Sequence, residues 1–355
     1  MRYSRVRIAA VCAELPPRAV TSLEIERRLG AVYARLGLVE GRLELMSGIR
    51  ERRFWPPGTA PSEVAARAGA AALARGEALG IARARVGCVI HASVCRDFIE
   101  PATANLVHHA LGLEPTALVF DLSNACLGVL DAMVVIADQI EAGRIDAGLA
   151  VAGECGEALV ESTIAALERD PSLTRQSIKD SVASLTIGSS AAAVLLAAAD
   201  VAPAAPIALA GGSARCATSH HALCRGTTDT GLAGEASVLM ATKSEALLEA
   251  GCALAGETWR DFLPELGWTV DMVDRVFCHQ VGSAHRKRLL ETIGVDPARD
   301  SPTYETLGNT GAAALPVALA RGLDAGRFVP GQRAALLGIG SGINCLMLGL
   351  EWPTR

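Results

Sequence analysis

The sequence lacks the usual marks of several classes of protein. Its ten cysteines form no CxxC pair, which argues against a zinc knuckle or a thioredoxin-like motif. Only three of the 33 basic residues are lysines, the net charge is −5, and no basic run is longer than Arg286-Lys287-Arg288. Nucleic-acid binding therefore has little support. No serine stands in a G-x-S-x-G sequence, so the nucleophile of an α/β-hydrolase is not expected.

Long apolar segments are also missing. The alanine- and leucine-rich run 187–199 is too short to cross a bilayer, and no stretch is typical of a signal peptide. Cysteines scattered through apolar segments are more typical of a reducing compartment than of a disulfide framework. We therefore expect a cytoplasmic protein without a membrane span. The 355 residues are 50% hydrophobic, which is enough for a large buried core.

Apolar segments typical of buried strands alternate with helical segments. The predicted strands are 6–12, 86–92, 117–122, 147–152, 191–197, 207–210, 275–278 and 334–339. Among the predicted helices are 62–79 and 235–263. Near-continuous apolar strands separated by helices predict an α/β fold whose sheets are covered on both faces.

A weak internal repeat divides the chain into two halves. Segment 185–190 resembles segment 337–342, and each precedes an apolar run. The alanine- and proline-rich stretch 199–206 has the composition of a linker. We therefore predict two similar halves, residues 1–202 and residues 203–355.

Cys126 stands at a junction that favours a nucleophilic thiol. The predicted strand 117–122 leads through Ser-Asn-Ala into Cys126, and an apolar helix follows to about Ile140. A cysteine at a helix N-terminus faces unpaired N–H groups and the positive end of the helix dipole, and both favour the thiolate. The alternative is that Cys126 is a small buried hydrophobic residue, which is common for cysteine.

Two later segments carry the usual partners of such a cysteine. His279 ends a short apolar strand, and Asn309 lies in the glycine-flanked sequence Gly-Asn-Thr-Gly. Taken singly, neither residue indicates catalysis. Asn309, for example, could simply cap the helix that follows it, because Asn is a common helix cap. Together, Cys, His and Asn in this order predict acyl-thioester chemistry. Cys126 would belong to the first half and the other two to the second, which places the active site between the halves.

These motifs, in this order, resemble the thiolase superfamily in its ketoacyl synthase III branch. The resemblance runs from Val6 to Trp352 and rests on the segments 47–52, 121–128, 279–280, 308–313 and 340–342. It implies a thiolase fold, in which two duplicated halves form a five-layered α-β-α-β-α subunit, and it implies a homodimer. In such enzymes the cysteine is acylated from a coenzyme A thioester, and the acyl group then passes to a carbon nucleophile. The resemblance also implies an oxyanion hole formed by the N–H groups of Cys126 and Ser341.

One loop indicates which subgroup of this branch the chain resembles. The sequence Arg-Asp-Phe-Ile-Glu-Pro at 96–101 resembles a loop that, in this family, crosses the dimer interface into the partner's pocket. Most members of the branch have an aromatic or aliphatic residue at the position of Glu100. The acyl-CoA condensing enzymes of olefin biosynthesis instead have glutamate there. The resemblance therefore implies an enzyme of this second group, with the downstream enzymes of its pathway as further partners.

The chemistry of condensation supports a role for Glu100 independently. A malonyl thioester forms its carbanion by losing CO2, so it needs no strong base. Joining two simple acyl-CoAs requires the removal of an α-proton. A carboxylate in a dry, apolar tunnel has a raised pKa and is therefore a better base. We predict that Glu100 is this base, and the alternative is a solvated carboxylate on a loop.

The sequence thus predicts a non-decarboxylative Claisen condensation of two fatty acyl-CoAs. It would proceed through an acyl-Cys126 intermediate to a 2-alkyl-3-oxoacyl product, with His279 and Asn309 as donors to the enolate oxygen. The alternatives are a decarboxylating 3-oxoacyl-ACP synthase III that uses malonyl-ACP, an acyltransferase of the same family, and a non-catalytic dimer partner. No metal is expected, and no cofactor beyond the coenzyme A thioesters that serve as substrates.

Overall fold

The computed structural model describes residues 1–226 and 239–354. Its strands are β1 Val6–Glu14, β2 Arg18–Thr21, β3 Glu51–Phe54, β4 Val86–His91, β5 Leu118–Asp121, β6 Ala147–Glu154, β7 Ser190–Ala198, β8 Ile207–Cys216, β9 Cys224–Gly226, β10 Met240–Thr242, β11 Arg275–Cys278, β12 Arg333–Gly340 and β13 Asn344–Glu351. Its helices are α1 Ser22–Arg28, α2 Gly30–Leu36, α3 Arg42–Ser47, α4 Pro61–Ala78, α5 Thr103–Leu111, α6 Gly128–Glu141, α7 Glu157–Arg169, α8 Lys179–Leu185, α9 Ser244–Leu266, α10 Ser283–Ile293, α11 Tyr304–Leu307 and α12 Ala314–Asp324. Within these described ranges, no helix is long and apolar enough to span a membrane.

The predicted strands are confirmed as β1, β4 to β8, β11 and β12, and the predicted helix 62–79 is confirmed as α4. The largest difference in length is in β8, which continues to Cys216 because it pairs with β13 along most of its length. The predicted helix 235–263 is α9, which begins at Ser244. Residues 240–242 form β10 instead of helix, and the predicted start at 235–238 lies outside the described residues.

The strands of the central sheet lie in the order β11-β12-β13-β8-β1-β7-β6-β4-β5. In the first half of the chain, β7 is antiparallel to β1 and β6, while β6, β4 and β5 are parallel. In the second half, β13 is antiparallel to β8 and β12, while β12 and β11 are parallel. The order and directions of β1, β7, β6 and β4 are repeated by β8, β13, β12 and β11, whereas β5 has no counterpart among the described strands. Strands β1 and β8 join the halves through a short antiparallel contact. This repetition supports the division into residues 1–202 and 203–355, which we keep as a proposal.

Three hydrophobic cores separate five layers. One core lies between α4, α5 and the strands of the first half-sheet. A second surrounds α6 and α12, and a third lies between the strands of the second half-sheet and α9 and α10. Alternate residues of β12 face different cores: Leu336 belongs to the second core and Leu337 to the third. The α-β-α-β-α arrangement predicted from the sequence is therefore present.

The middle layer places the ends of two helices where the halves of the chain meet. Helices α6 and α12 are apolar on most of their surface, because half-sheets cover them on two sides. Each begins with a short 3₁₀ turn, Ala125–Leu127 before α6 and Gly311–Ala313 before α12. The segments that carry Cys126 and Asn309 are thereby brought into the interior.

Substitution of Leu130 tests whether α6 lies in the central core. Its side chain is 1% exposed in α6, and truncation to Ala leaves a cavity that the surrounding sheets cannot easily fill. We expect Leu130→Ala to lower the free energy of unfolding by about 2–5 kcal/mol. The measurement is urea unfolding followed by circular dichroism at constant protein concentration. Leu45→Ala is the matched control, because Leu45 is 83% exposed, and its effect should stay within about 0.5 kcal/mol. Equal effects of the two variants would contradict the assignment of α6 to the core.

Candidate active site

Cys126 lies in the 3₁₀ turn that leads into α6, and this turn is held from two sides. A Cβ at Gly128 would lie 2.2 Å from the carbonyl oxygen of Ala92, so only glycine lets α6 begin this close to the end of β4. A Cβ at Gly340 would lie 3.0 Å from the side chain of Leu127, so the end of β12 packs on the other side. Since β4 and β12 belong to different halves, Cys126 lies where the halves meet.

The expected thiolate is not the resting form of Cys126. Burial raises the pKa of its thiol to about 12, and the carboxylate of Glu154 and the thiol of Cys224 add to the rise. A backbone N–H group in the turn favours the anion, but the loss of hydration has the larger effect. The effect of burial therefore exceeds that of the helix N-terminus, and the pKa of the free thiol lies above its ordinary value. The nucleophile has to lose its proton as it attacks.

His279 follows β11 directly and is 4% exposed. Its backbone N–H donates to the carbonyl of Leu337 at 3.0 Å, which extends the parallel pairing of β11 and β12. Within residues 1–226 and 239–354, the ring Nδ1 is buried without a hydrogen-bond partner. Burial lowers the pKa of His279 to about 3, with a smaller contribution from His285. The imidazole is therefore neutral, and it can accept a proton at one nitrogen and donate one from the other.

Gln280 fixes the segment after His279. Its side-chain amide donates to the carbonyl of Cys278 at 2.6 Å. Its side-chain oxygen accepts from the backbone N–H groups of Thr303 and Tyr304 at 3.0 and 3.3 Å. The end of β11 is thus tied to the segment that leads to the Asn309 turn.

Asn309 lies in a turn that is hydrogen-bonded to the first half of the chain. Its backbone N–H donates to the carbonyl of Thr186 at 3.1 Å, and its carbonyl accepts from the N–H of Gly188 at 2.9 Å. Its side-chain oxygen accepts from the N–H of Gly311 at 3.0 Å. With the oxygen fixed in this way, the NH2 group of Asn309 remains as a hydrogen-bond donor.

The segments that carry Cys126, His279 and Asn309 converge. The turn Gly311–Ala313, which follows Asn309, packs against the turn of Cys126, and the turn of Cys126 also packs against β12. Strand β12 pairs with β11, and His279 follows β11 directly. A thiol, a neutral imidazole and an amide donor together suit acyl transfer. The part of the chain that the structure describes contains no group of three or more His, Cys, Asp or Glu residues that could hold a metal ion.

Glu100 lies outside this group of residues. It is exposed on the loop between β4 and α5, where the side chains of Phe98 and Ile99 are 52% and 51% exposed. Within a single subunit, therefore, the predicted base is exposed, while the predicted nucleophile is only partly exposed, in the turn before α6. Its role as a base stays a prediction.

The loop of Glu100 is anchored on both sides of this residue. Before it, the carboxylate of Asp97 accepts from the backbone N–H of Ser62 at 2.8 Å. After it, the N–H of Thr103 donates to the carboxylate of Asp121 at 2.9 Å, which also caps the start of α5. The exposed position of Glu100 is thus set by buried polar contacts.

Ser341 lies in the turn between β12 and β13, and Asn344 links this turn to that of Cys126. The amide of Asn344 donates to the side-chain oxygen of Asn124 at 3.1 Å and to the carbonyl of Ser341 at 3.4 Å. Asn124 in turn donates to the carboxylate of Asp131 at 2.8 Å. These bonds fix the two turns relative to each other, as the predicted oxyanion hole requires.

Glu154, the last residue of β6, is a site residue that was not predicted from the sequence. This residue is 3% exposed, and its carboxylate accepts from the backbone N–H groups of Val94, Cys95 and Ala312. Its charge also acts on Cys126. A carboxylate at the end of a wholly apolar strand was the available signal, since acids are rarely buried without a partner.

A cavity of about 330 Å³ lies between α2, α3 and α8. Its walls combine apolar side chains with Arg42, Arg175 and Lys179. Leu185, which also lines it, precedes Thr186, the residue whose carbonyl accepts from Asn309. Cations around an apolar cavity suit a ligand that carries both phosphate groups and apolar parts. No arginine was assigned to the site from the sequence, because the excess of arginine over lysine is explained by genome composition rather than by function.

Comparison with known proteins identifies the family. Residues 263–352 match the family model of the C-terminal part of 3-oxoacyl-[acyl-carrier-protein] synthase III. An acyl-CoA:acyl-CoA alkyltransferase from Shewanella oneidensis is 41% identical over 99% of this chain and 100% of its own length. One from Xanthomonas campestris is 36% identical over 99% and 100%. A crystal structure of Xanthomonas campestris OleA, with a cysteine replaced by serine and with bound lauric acid and lauroyl-CoA, aligns with a TM-score of 0.91, 34% identity and coverage of 99% and 100%.

The fold and these similarities define a condensing acyltransferase of the thiolase superfamily, in its 3-oxoacyl-ACP synthase III-like branch. More narrowly, the chain belongs to the family of OleA acyl-CoA:acyl-CoA alkyltransferases. The predictions of fold class, branch and subgroup are confirmed. Other structures of the Xanthomonas protein have a glutamate or a histidine replaced. In that protein the replaced glutamate and cysteine have the same spacing as Glu100 and Cys126.

The pH dependence of alkylation tests the resting state of Cys126. Because its pKa is raised to about 12, the reactive thiolate fraction should keep growing far above neutral pH. We expect the rate of reaction with iodoacetamide to rise about tenfold per pH unit from about pH 7 to about pH 9. Peptide mass spectrometry reads the rate at Cys126, and the exposed Cys216 serves as an internal control for the reagent. A plateau below about pH 8 would mean a stabilised thiolate and would contradict the account.

Proposed function

We propose that this enzyme joins two fatty acyl-CoAs in a non-decarboxylative Claisen condensation, through an acyl-Cys126 intermediate, to give a 2-alkyl-3-oxoacyl product. The proposal rests on full-length similarity to acyl-CoA:acyl-CoA alkyltransferases in a chain that also carries Glu100, His279 and Asn309. Lauroyl-CoA bound to the Xanthomonas protein supports a fatty acyl-CoA as the class of substrate.

In the first step, Cys126 takes an acyl group from the first substrate. Its sulfur bonds to the thioester carbon, the bond between that carbon and the sulfur of coenzyme A breaks, and the thiol proton ends on the released coenzyme A. A base has to relay the thiol proton, and we assign this role to the imidazole of His279, whose Nδ1 is buried without a hydrogen-bond partner among the described residues. The backbone N–H groups of Cys126 and Ser341 hold the developing oxyanion.

In the second step, Glu100 of the partner subunit removes an α-proton from the second acyl-CoA. The resulting enolate oxygen accepts hydrogen bonds from His279 and Asn309. The enolate carbon then attacks the acyl carbon on Cys126, and the carbon–sulfur bond to the enzyme breaks. The proton held by Glu100 returns to the thiol, so that both groups regain their starting forms.

Glu100 is assigned to the partner's site because its surroundings have the features of an interface. Phe98 and Ile99 are about half exposed, and so is Leu118 on β5. Among the described strands, β5 is an edge of the central sheet. Exposed edges and apolar clusters are usually covered by a partner. Pairing of two subunits about a two-fold axis would cover them and bring each Glu100 towards the other subunit.

The cationic cavity between α2, α3 and α8 supports a coenzyme A thioester as substrate. Arg42, Arg175 and Lys179 supply positive charge for its phosphate groups, and the apolar walls suit its remaining parts. We assign the nucleotide end of coenzyme A to this cavity. Leu185 and Thr186 lie between the cavity and the turn of Asn309, and they connect substrate binding with the site of reaction.

A second candidate is a decarboxylating 3-oxoacyl-ACP synthase III. The match of residues 263–352 to the model of that family favours it. The two reactions differ in what they require: the decarboxylating enzyme needs a malonyl donor, whereas the condensing enzyme needs a base for an α-proton. The presence of Glu100 therefore favours condensation of two acyl-CoAs.

Incubation with lauroyl-CoA alone, and then with added malonyl-CoA or malonyl-ACP, tests this function. We expect free thiol release and a 2-alkyl-3-oxo acid, or the ketone formed by its decarboxylation, from lauroyl-CoA alone. Cys126→Ala should abolish acylation. Glu100→Ala should leave acylation measurable and reduce condensation by at least about 100-fold, a loss in the range of general-base catalysis. Thiol release and mass spectrometry of the products measure the two steps.

Glu114→Ala is the matched control, because Glu114 is an exposed acid after α5 with no assigned role, and it should behave like the wild type. Product that forms only with a malonyl donor would replace the proposed reaction with the decarboxylating one. Thiol release without carbon–carbon bond formation would point to acyl transfer. Equal loss of both steps in Glu100→Ala would count against the base.

A further inference from the structure

Glu154 is an acid buried at the active site that the proposed mechanism does not use. Its side chain is 3% exposed, and no ion pair with a cation involves it within residues 1–226 and 239–354. Burial of an unpaired carboxylate is unfavourable unless hydrogen bonds satisfy its oxygens. The hydrogen bonds of Glu154 therefore have to compensate for the burial of its carboxylate.

Three backbone N–H groups satisfy the carboxylate. Its Oε1 accepts from Val94 and from Ala312, both at 2.9 Å. Its Oε2 accepts from Cys95 at 3.1 Å. Val94 and Cys95 lie before β5 in the first half of the chain, whereas Ala312 lies in the second half. One side chain thus joins two distant segments.

Both of these segments carry residues of the proposed condensation step. Val94 and Cys95 begin the loop that leads to Glu100, and Ala312 lies in the turn that follows Asn309. That turn packs against the turn of the nucleophilic cysteine.

Gly311 leaves the space that this contact needs. A Cβ at this position would lie 2.7 Å from Oε1 of Glu154, and the backbone φ of +56° also favours glycine. Glycine at position 311 therefore allows the turn after Asn309 to pack closely against the carboxylate of Glu154.

We propose that Glu154 is a positioning residue, whose carboxylate holds the Asn309 turn and the Glu100 loop in place relative to Cys126 for the condensation step. The inference rests on the proposed function, since that function assigns both segments to condensation. Acylation uses neither Glu100 nor Asn309. Loss of the bridge should therefore harm condensation more than acylation.

The charge of Glu154 also has a measurable effect on its neighbours. The thiols of Cys95, Cys126 and Cys155 face it; burial raises the pKa of each, and the charge of Glu154 adds to the rise. The thiol of Cys224 faces Cys126 as well. Burial raises the pKa of Glu154 itself, although its three N–H bonds oppose the rise. Removal of the charge should make Cys126 easier to deprotonate, an effect that simple loss of packing would not produce.

The test compares Glu154→Ala and Glu154→Gln with the wild-type enzyme, with lauroyl-CoA as substrate. First-turnover release of coenzyme A measures acylation, and the 2-alkyl-3-oxo product measures condensation. In Glu154→Ala we expect condensation to fall about 10- to 100-fold and acylation to fall less than about threefold. Glu154→Gln keeps an oxygen that can bridge Val94 and Ala312, so it should retain most of the condensation activity. In that variant, the pH profile of Cys126 alkylation should move about one pH unit lower.

Glu161→Gln is the matched control, because it removes an exposed carboxylate of α7 that is paired with Arg28. It should leave both steps and the alkylation profile unchanged. Thermal unfolding reports whether each variant is folded. If Glu154→Ala does not fold, Gly311→Ala crowds the same oxygen from the other segment and should cause the same selective loss of condensation.

Equal loss of acylation and condensation in a folded Glu154→Ala or Gly311→Ala variant would overturn the proposal. So would a Glu154→Gln variant as defective in condensation as Glu154→Ala, because the bridging oxygen would then not be what matters. A wild-type enzyme that makes no product from lauroyl-CoA alone would overturn the proposed function instead.

Discussion

The burial of α6 and α12 between two half-sheets is the constraint on which the site depends. Because both helices begin where the halves meet, the turn of Cys126 and the turn after Asn309 are pressed together. The same burial raises the pKa of the Cys126 thiol and lowers the pKa of the His279 imidazole, which favours the uncharged form of each. The chemistry therefore has to couple proton movement to acyl transfer rather than start from a thiolate–imidazolium pair.

A buried site of this kind needs its polar groups satisfied by the fold. Gln280, Asn344 and Glu154 all accept from or donate to neighbouring segments, and two of them bond mainly to the backbone. Such bonds fix the segments that carry reactive groups. Glu100 differs, because it lies on an exposed loop whose flanks are anchored. The arrangement separates the acyl-transfer groups inside one subunit from a base presented at its surface.

The sequence predicted those features that depend on local pattern. Strands such as β6 and β7 are buried on both faces, so they form continuous apolar runs, and the motif order around Cys126 identified the reactive segments. The short strands β2, β3, β9 and β10 were missed, because they need partners that no local pattern reveals. Glu154 was missed for the same reason: its N–H donors stand up to 158 positions away. Strand β13 was also not among the predicted strands, although its segment was noted as an apolar run. The protonation state of Cys126 depends on what packs over it, which composition does not show.

A mixed dimer tests the central claim most directly, namely that one active site needs Cys126 of one subunit and Glu100 of its partner. The dimer combines a Cys126→Ala subunit with a Glu100→Ala subunit, purified through two different affinity tags. One of its two sites has an intact cysteine and receives an intact glutamate, so we expect about half of the wild-type condensation activity from two subunits that are each inactive as homodimers. A mixed dimer without condensation activity would contradict the account, because Glu100 would then not act across the interface.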